Sequence, residues 1–170
     1  MIRGADISKC GRYRYCLWRI WDETLPELGF VMLNPSTADA ETDDPTIRVC
    51  IGRAKRTGYG GIRVVNLFNY RATNPAELKT VDDPIGTFHS PADEVVCMKV
   101  IAAWGDHGTL LGLHRARWQE VAEDFCVFYG MGLWALGLTK QGQPRHPLYL
   151  SYDIKPFLWI DGSSWPETKC

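Results

Sequence analysis

Four short apolar runs, each stopping abruptly in polar residues, constrain the fold of this chain more than any other feature. They are Gly29 to Leu33 before Asn34-Pro35-Ser36-Thr37, Ile62 to Phe68 before Asn69-Tyr70-Arg71, Val100 to Gly105 before Asp106-His107, and Leu133 to Gly137 before Thr139-Lys140. Brief runs of this kind, bounded by turn residues, read as buried strands. Helical segments alternate with them. Asp44-Pro45 offers an N-cap and a proline at the first helical position, Ile47, Ile51 and Ala54 share a face, and Gly58-Tyr59-Gly60-Gly61 is a stop. A second helix is expected from about Leu110 to Phe128, carrying Leu113, Val121 and Phe125. The alternation implies an α/β three-layer sandwich around a largely parallel central sheet of about four strands. A strand–helix–strand unit over 29–68 implies a parallel pair with a right-handed crossover, which opens both strand ends on one edge of the sheet and brings Asn34 and Asn66 together.

The remaining segments fill in around that centre. Arg12 to Trp21 partly alternates apolar and polar residues and is rich in aromatics, so a strand is expected there. With a turn over Asp22 to Glu27, it forms an N-terminal hairpin antiparallel to the 29–33 strand. Ala76 to His89 reads as loop, Pro91 to Cys97 as a helix start, and Phe157 to Ile160 as a last strand or a packed tail. The 170 residues fit one domain, with a core over about 12–160 and a frayed tail over 161–170.

Composition narrows the partners. A net charge of −1 argues against nucleic-acid binding driven by overall charge and leaves a local basic face as the alternative. Pro45 to Ala76 has no Asp or Glu but holds Arg48, Arg53, Lys55, Arg56, Arg63 and Arg71, either a phosphate track or a solvated face. Seven Trp and seven Tyr are more than packing alone needs, so some rings are candidates for a pocket. The six cysteines form no CxxC pair and no zinc-like spacing, so no metal site or cofactor is expected from them. The opening residues lack a signal-peptide core and no run suits a membrane span; the expectation is a cytoplasmic protein with reduced thiols and no membrane partner.

Polar residues at the carboxyl ends of parallel strands are where ligands bind in such sheets. Asn34 stands at that position; its amide can orient a water or bond a base edge without ionising. His146 is pinned by Pro144 and Pro147, as a rigidly held functional side chain would be. There is no Gly-x-Ser-x-Gly elbow to make Ser36 a nucleophile and no phosphate loop. The acidic turn of Asp39, Glu41, Asp43 and Asp44 could serve a metal-dependent phosphohydrolase, or be a solvated loop with a helix cap.

Several motifs carry a resemblance. Leu33-Asn34-Pro35-Ser36-Thr37-Ala38-Asp39, Asp44 to Arg48, Val65 to Phe68, Tyr70 to Thr73, Ala103-Trp104-Gly105 and His146 to Leu150 closely resemble domain of unknown function family 1643, over roughly residues 12–150. More distantly, the order of Asn34-Pro35, Asn66 through Arg71, Trp104-Gly105 and His146-Pro147 resembles the uracil-DNA glycosylase superfamily. That resemblance implies a base N-glycosidase acting on DNA or a nucleotide. Asn34 would position water and His146 would stabilise the departing base. The expected substrate contacts are Pro35, Ser36, Asn66, Phe68, Tyr70, Arg71 and Trp104, with Leu148 and Tyr149 as a wedge. Arg48, Lys140 and Arg145 would meet DNA phosphates. The alternative is a module that binds a nucleobase, nucleotide or DNA without cleaving it.

Overall fold

The computed structural model describes residues 1–87, 90–95, 98–110 and 115–163. Its strands are β1 (Ile2–Ile7), β2 (Arg14–Ile20), β3 (Glu27–Met32), β4 (Gly61–Asn66), β5 (Lys99–Ala102), β6 (Leu133–Ala135) and β7 (Phe157–Ile160). They form one sheet in the order β1-β2-β4-β3-β5-β6-β7. The four apolar runs are its parallel centre, β4-β3-β5-β6, and β1, β2 and β7 flank it antiparallel.

The sheet has seven strands, where the sequence suggested about four plus one hairpin strand. The hairpin is also different: β2 pairs with β4, and its hairpin partner is β1. Burial explains the seating. From Leu28 onward every residue of β3 is buried, as a strand covered on both faces must be, and parallel neighbours take both its edges. β2 alternates buried and half-buried residues, the pattern of a strand nearer the rim.

Each face of the sheet carries an α-helix. Helix α1 (Pro45–Arg56) starts where expected: Asp44 accepts a hydrogen bond from the Ile47 amide at 2.9 Å. Its Ile47, Cys50 and Ala54 pack on Leu28, Phe30, Ile62 and Val64. The opposite cluster joins Val31, Val65 and Val100 to Val121, Ala122 and Phe125. Truncating Ile47 or Phe30 to alanine in so full an interior would cost about 2–5 kcal/mol.

The second helix is shorter than the 110–128 expected. Helix α2 covers Arg117–Glu123 and continues as a wider π turn over Asp124–Phe128, where the Met131 amide reaches back to the Phe125 carbonyl. The expected loop after Ala76 contains a 3-10 turn at Pro75–Lys79, and the expected helix start at Pro91 is a 3-10 turn ending at Val95. Val96, Cys97, His89, Leu113 and residues 164–170 of the expected frayed tail lie outside the described residues. Cys10, Cys16, Cys50 and Cys126 are free thiols. Among the described residues no helix is long and apolar enough to cross a membrane.

Candidate functional site

The carboxyl ends of β3, β4 and β5 open into a cavity of about 370 Å³. Asn34, Ser36, Asn66, Trp104 and His146 all line it. The sequence singled out each of these positions, and the fold brings them together.

Asn34 follows β3, where the ladder continues through the Leu67 amide to Met32 and the Phe68 amide to Leu33. Its Nδ2 donates to the carbonyls of Ala72 at 2.7 Å and Pro35 at 3.0 Å. Both amide protons are thereby used, and what Asn34 has left to offer is its oxygen. Pro35 is buried behind it, off the cavity wall, where its carbonyl also accepts from the Ala72 amide.

Asn66 closes β4 with only 1% of its surface exposed, yet among the described residues neither its Oδ1 nor its Nδ2 has a hydrogen-bond partner. An unpaired buried amide is rare in a native protein and points to a ligand or water. Trp104, after β5, is equally buried and held from three sides. Its Nε1 donates to Gln143 Oε1 at 2.9 Å, Trp159 packs edge-on at 5.6 Å, and a Cβ on Gly108 would collide with the indole.

His146 reaches the cavity on the segment after β6. That segment is pinned to the turn after β5 by the Gly105 amide donating to Pro144 at 2.8 Å, and to itself by the Arg145 amide donating to Gly137 at 2.9 Å. Gly105 makes this turn with φ at +69°, which favours glycine. His146 Nδ1 accepts from the Leu148 amide at 3.2 Å. In the neutral ring this places the proton on Nε2 and makes that nitrogen a donor. His146 is an exposed residue, yet desolvation by the surrounding protein lowers its pKa below the ordinary value, against the opposing pull of Asp44.

The wall also includes residues outside the expected site set, among them Arg14, Thr46, Thr73 and His107, and Asp44 of the acidic turn. Arg14, on β2, is 2% exposed; its Nη1 donates to the Ala38 carbonyl at 2.8 Å and its Nε has no partner among the described residues. Burial lowers its pKa to about 10, with Asp44 acting the other way, so it stays cationic near neutrality. Asp44 caps α1 through Oδ1 and lines the cavity as well. Its Asp-Pro setting shows the capping role, and its place in the acidic turn had made it a candidate metal ligand rather than a wall residue.

Other expected contacts lie elsewhere. Phe68 is 1% exposed inside the α2-face cluster and does not reach the cavity: beyond β4 its direction is inward. Tyr70 packs on that cluster and edge-on against Tyr13, and with Arg71 it lines a neighbouring depression that shares Ser36, Ala72 and Thr73 with the main cavity. Leu148 and Tyr149 stand outside the lining; Tyr149 is 95% exposed, with φ at +70°. Arg48, Lys140 and Arg145 are exposed and off the cavity wall.

The rest of the basic stretch is largely structural. Arg53 donates to the Leu150 and Ser151 carbonyls, Arg63 pairs with Glu27 at 2.8 Å, and Lys55 and Arg56 lie over Trp21 and Tyr152. The acidic turn is likewise committed. Arg19, fully buried, pairs with Asp43 at 2.7 Å and donates to the Asp39 carbonyl, while Asp39 Oδ1 accepts from the Glu41 and Thr42 amides. Among the described residues no three His, Cys, Asp or Glu side chains gather as a metal site.

Comparison with known proteins adds a family and no activity. No curated protein and no solved structure matches the chain. A model for a protein of unknown function, DUF1643, matches residues 14–148, from the buried Arg14 to the residue whose amide holds His146, and the chain belongs to that family.

Proposed function

We propose that this protein is a glycosylase-like enzyme that hydrolyses the N-glycosidic bond of a base in DNA or a nucleotide. The observation that carries this reading is Asn66, a buried amide on the cavity wall with both polar atoms unpaired. Such a group costs about 1–3 kcal/mol while it stays unsatisfied. A nucleobase edge, with a donor beside an acceptor, answers it in kind.

In this reading Asn66 holds the base edge while the Asn34 oxygen orients a water toward C1′ of the sugar. The water oxygen bonds to C1′, the glycosidic bond breaks, and its electron pair leaves on the base. The proton released by the water passes to the Asp44 oxygen that does not cap α1. Negative charge on the departing base is met by the Nε2–H of neutral His146 and by the buried cation of Arg14. The exposed ring of Tyr149, beside Leu148, fills the stack that the extruded base leaves. The same assignment is what the sequence resemblance to the uracil-DNA glycosylase superfamily implies.

The test is incubation with single-stranded and duplex DNA carrying uracil or other altered bases, scored as abasic sites by alkaline strand cleavage. Base release that is lost in Asn34→Ala and in His146→Ala is the expected result. No release across a broad panel, or undiminished release by both variants together, would sink the catalytic claim.

A second reading, a module that binds a nucleobase without cleaving it, is favoured by the use of Asp44 as a helix cap, which ties one carboxylate oxygen to structure. It predicts binding without turnover, lost in Asn66→Ala.

A further inference from the structure

A second cavity, of about 420 Å³, lies at the other end of α1. The helix's first turn, with Thr46 and Ile47, borders the candidate site, and its last turn and cap, with Arg53 and Thr57, border this one. Twelve residues of α-helix separate them, about 18 Å of rise. The volume is in the range of small-molecule sites, about 300–1,000 Å³.

Its wall has two parts. Leu28, Ile101, Leu136 and Ile154 supply an apolar surface, and Arg53, Lys99 and Lys155 supply three cations. Among the described residues no carboxylate lines it, and none pairs with any of the three. Lys99 Nζ sits over the Trp134 ring at 3.4 Å, a contact that keeps the charge without neutralising it.

Arg53 is the decisive residue. It is 4% exposed, and its Nη2 donates to the Leu150 and Ser151 carbonyls, each at 2.8 Å, while its Nε has no partner among the described residues. A buried guanidinium with no carboxylate beside it has kept unused hydrogen-bonding capacity at the cost of desolvation.

We propose that this cavity binds a small amphipathic anion, a carboxylate or phosphate monoester on an apolar body, with the head group between Arg53, Lys99 and Lys155 and the body on Leu28, Ile101 and Leu136. The site is separate from the proposed base pocket and does not depend on the glycosylase reading.

Titration calorimetry of the full chain with octanoate, octyl phosphate, octylamine and octanol tests this. At least one of the two anions is expected to bind about tenfold or more tighter than octanol and octylamine, and the tighter of the two identifies the head group. Lys155→Glu, at an exposed position, and Lys99→Gln should each weaken that anion by about tenfold with an unchanged melting temperature, and Lys155→Arg should restore it. Equal binding of octanol, no binding of either anion, or full affinity in both lysine variants would overturn the proposal.

Discussion

Residues 39–43 of the acidic turn and the cavity at the strand ends, to which Asp44 belongs, both present polar side chains after apolar runs, yet they use their hydrogen-bonding capacity in opposite ways. In the turn it is spent internally. Arg19 alone pairs with Asp43 and serves the carbonyls of Gly4, Trp18, Asp39 and Thr42, and Asp39 ties two amides. In the cavity it is held open, with Asn66 unpaired at both atoms and Arg14 at Nε. A polar cluster becomes a candidate site when the fold declines to satisfy it, whatever its residue types.

The sharpest way to break this contrast is to mutate its two centres. Arg19→Ala leaves Asp43 and several carbonyls without their donor, so it should lower stability by about 3–5 kcal/mol, read from the urea midpoint at unchanged slope. A loss under about 1 kcal/mol would mean the turn is merely solvated. Asn66→Ala should leave stability unchanged or raise it by up to about 1–3 kcal/mol, since no bond is lost and an unsatisfied buried amide is removed, while weakening nucleobase binding about tenfold or more. A large loss of stability there would place Asn66 among structural residues and erase the distinction.

Acid should separate the two regions in order. His146 has a folded pKa below its unfolded value, so the unfolded chain takes up its proton first; its contribution is complete above the ordinary imidazole pKa and is lost as pH falls through the lowered one. Base binding that uses the neutral ring should fade over the same interval. Asp39 is held below the usual carboxylate range by the Thr42 and Glu41 amides, so its contribution survives to lower pH and disappears as pH falls through that depressed value. Urea unfolding measured from pH 8 down to pH 3 should therefore lose the first increment in His146→Gln and the second in Asp39→Asn. Coincident changes in both variants would show that the two regions titrate as one.

The smallest expected effect concerns Tyr149. Removing a side chain from left-handed backbone gains about 1–2 kcal/mol, and the freedom of glycine returns about 0.5–1 kcal/mol of that, so Tyr149→Gly should stabilise by roughly 0.5–1 kcal/mol. A thermal melt checks the sign. Under the proposed function the same variant should lose base release from duplex DNA more than from single strands.

How much of this was legible follows from where each residue's environment is decided. The four central strands were readable because a strand covered on both faces must be apolar along its length, and Asp44-Pro45 because capping is local. β1 was not: its residues are mostly exposed or half-buried, and it is a strand because β2 offers it an edge, with Gly4 under the Trp18 ring. The neighbour of β2 was hidden for the same reason, since the 22–26 turn permits either partner. In the site, Asn34, Asn66 and Trp104 could be read because each ends or follows a parallel strand, and His146 because prolines flank it. Phe68 was misplaced because it sits two residues beyond β4, where direction depends on packing. Arg14 gave no signal, because an arginine in a strand of mixed character reads as outward-facing.

Tyr149 carries a consequence for anyone redesigning this chain. It is nearly fully exposed, in a backbone region that favours glycine, one residue before the carbonyl that Arg53 holds. A procedure that ranks substitutions by folding energy would choose glycine at this position early and would report an improvement. The aromatic ring is thus visible only to a screen that measures what the protein meets, and a stabilised variant made without such a screen would discard it first.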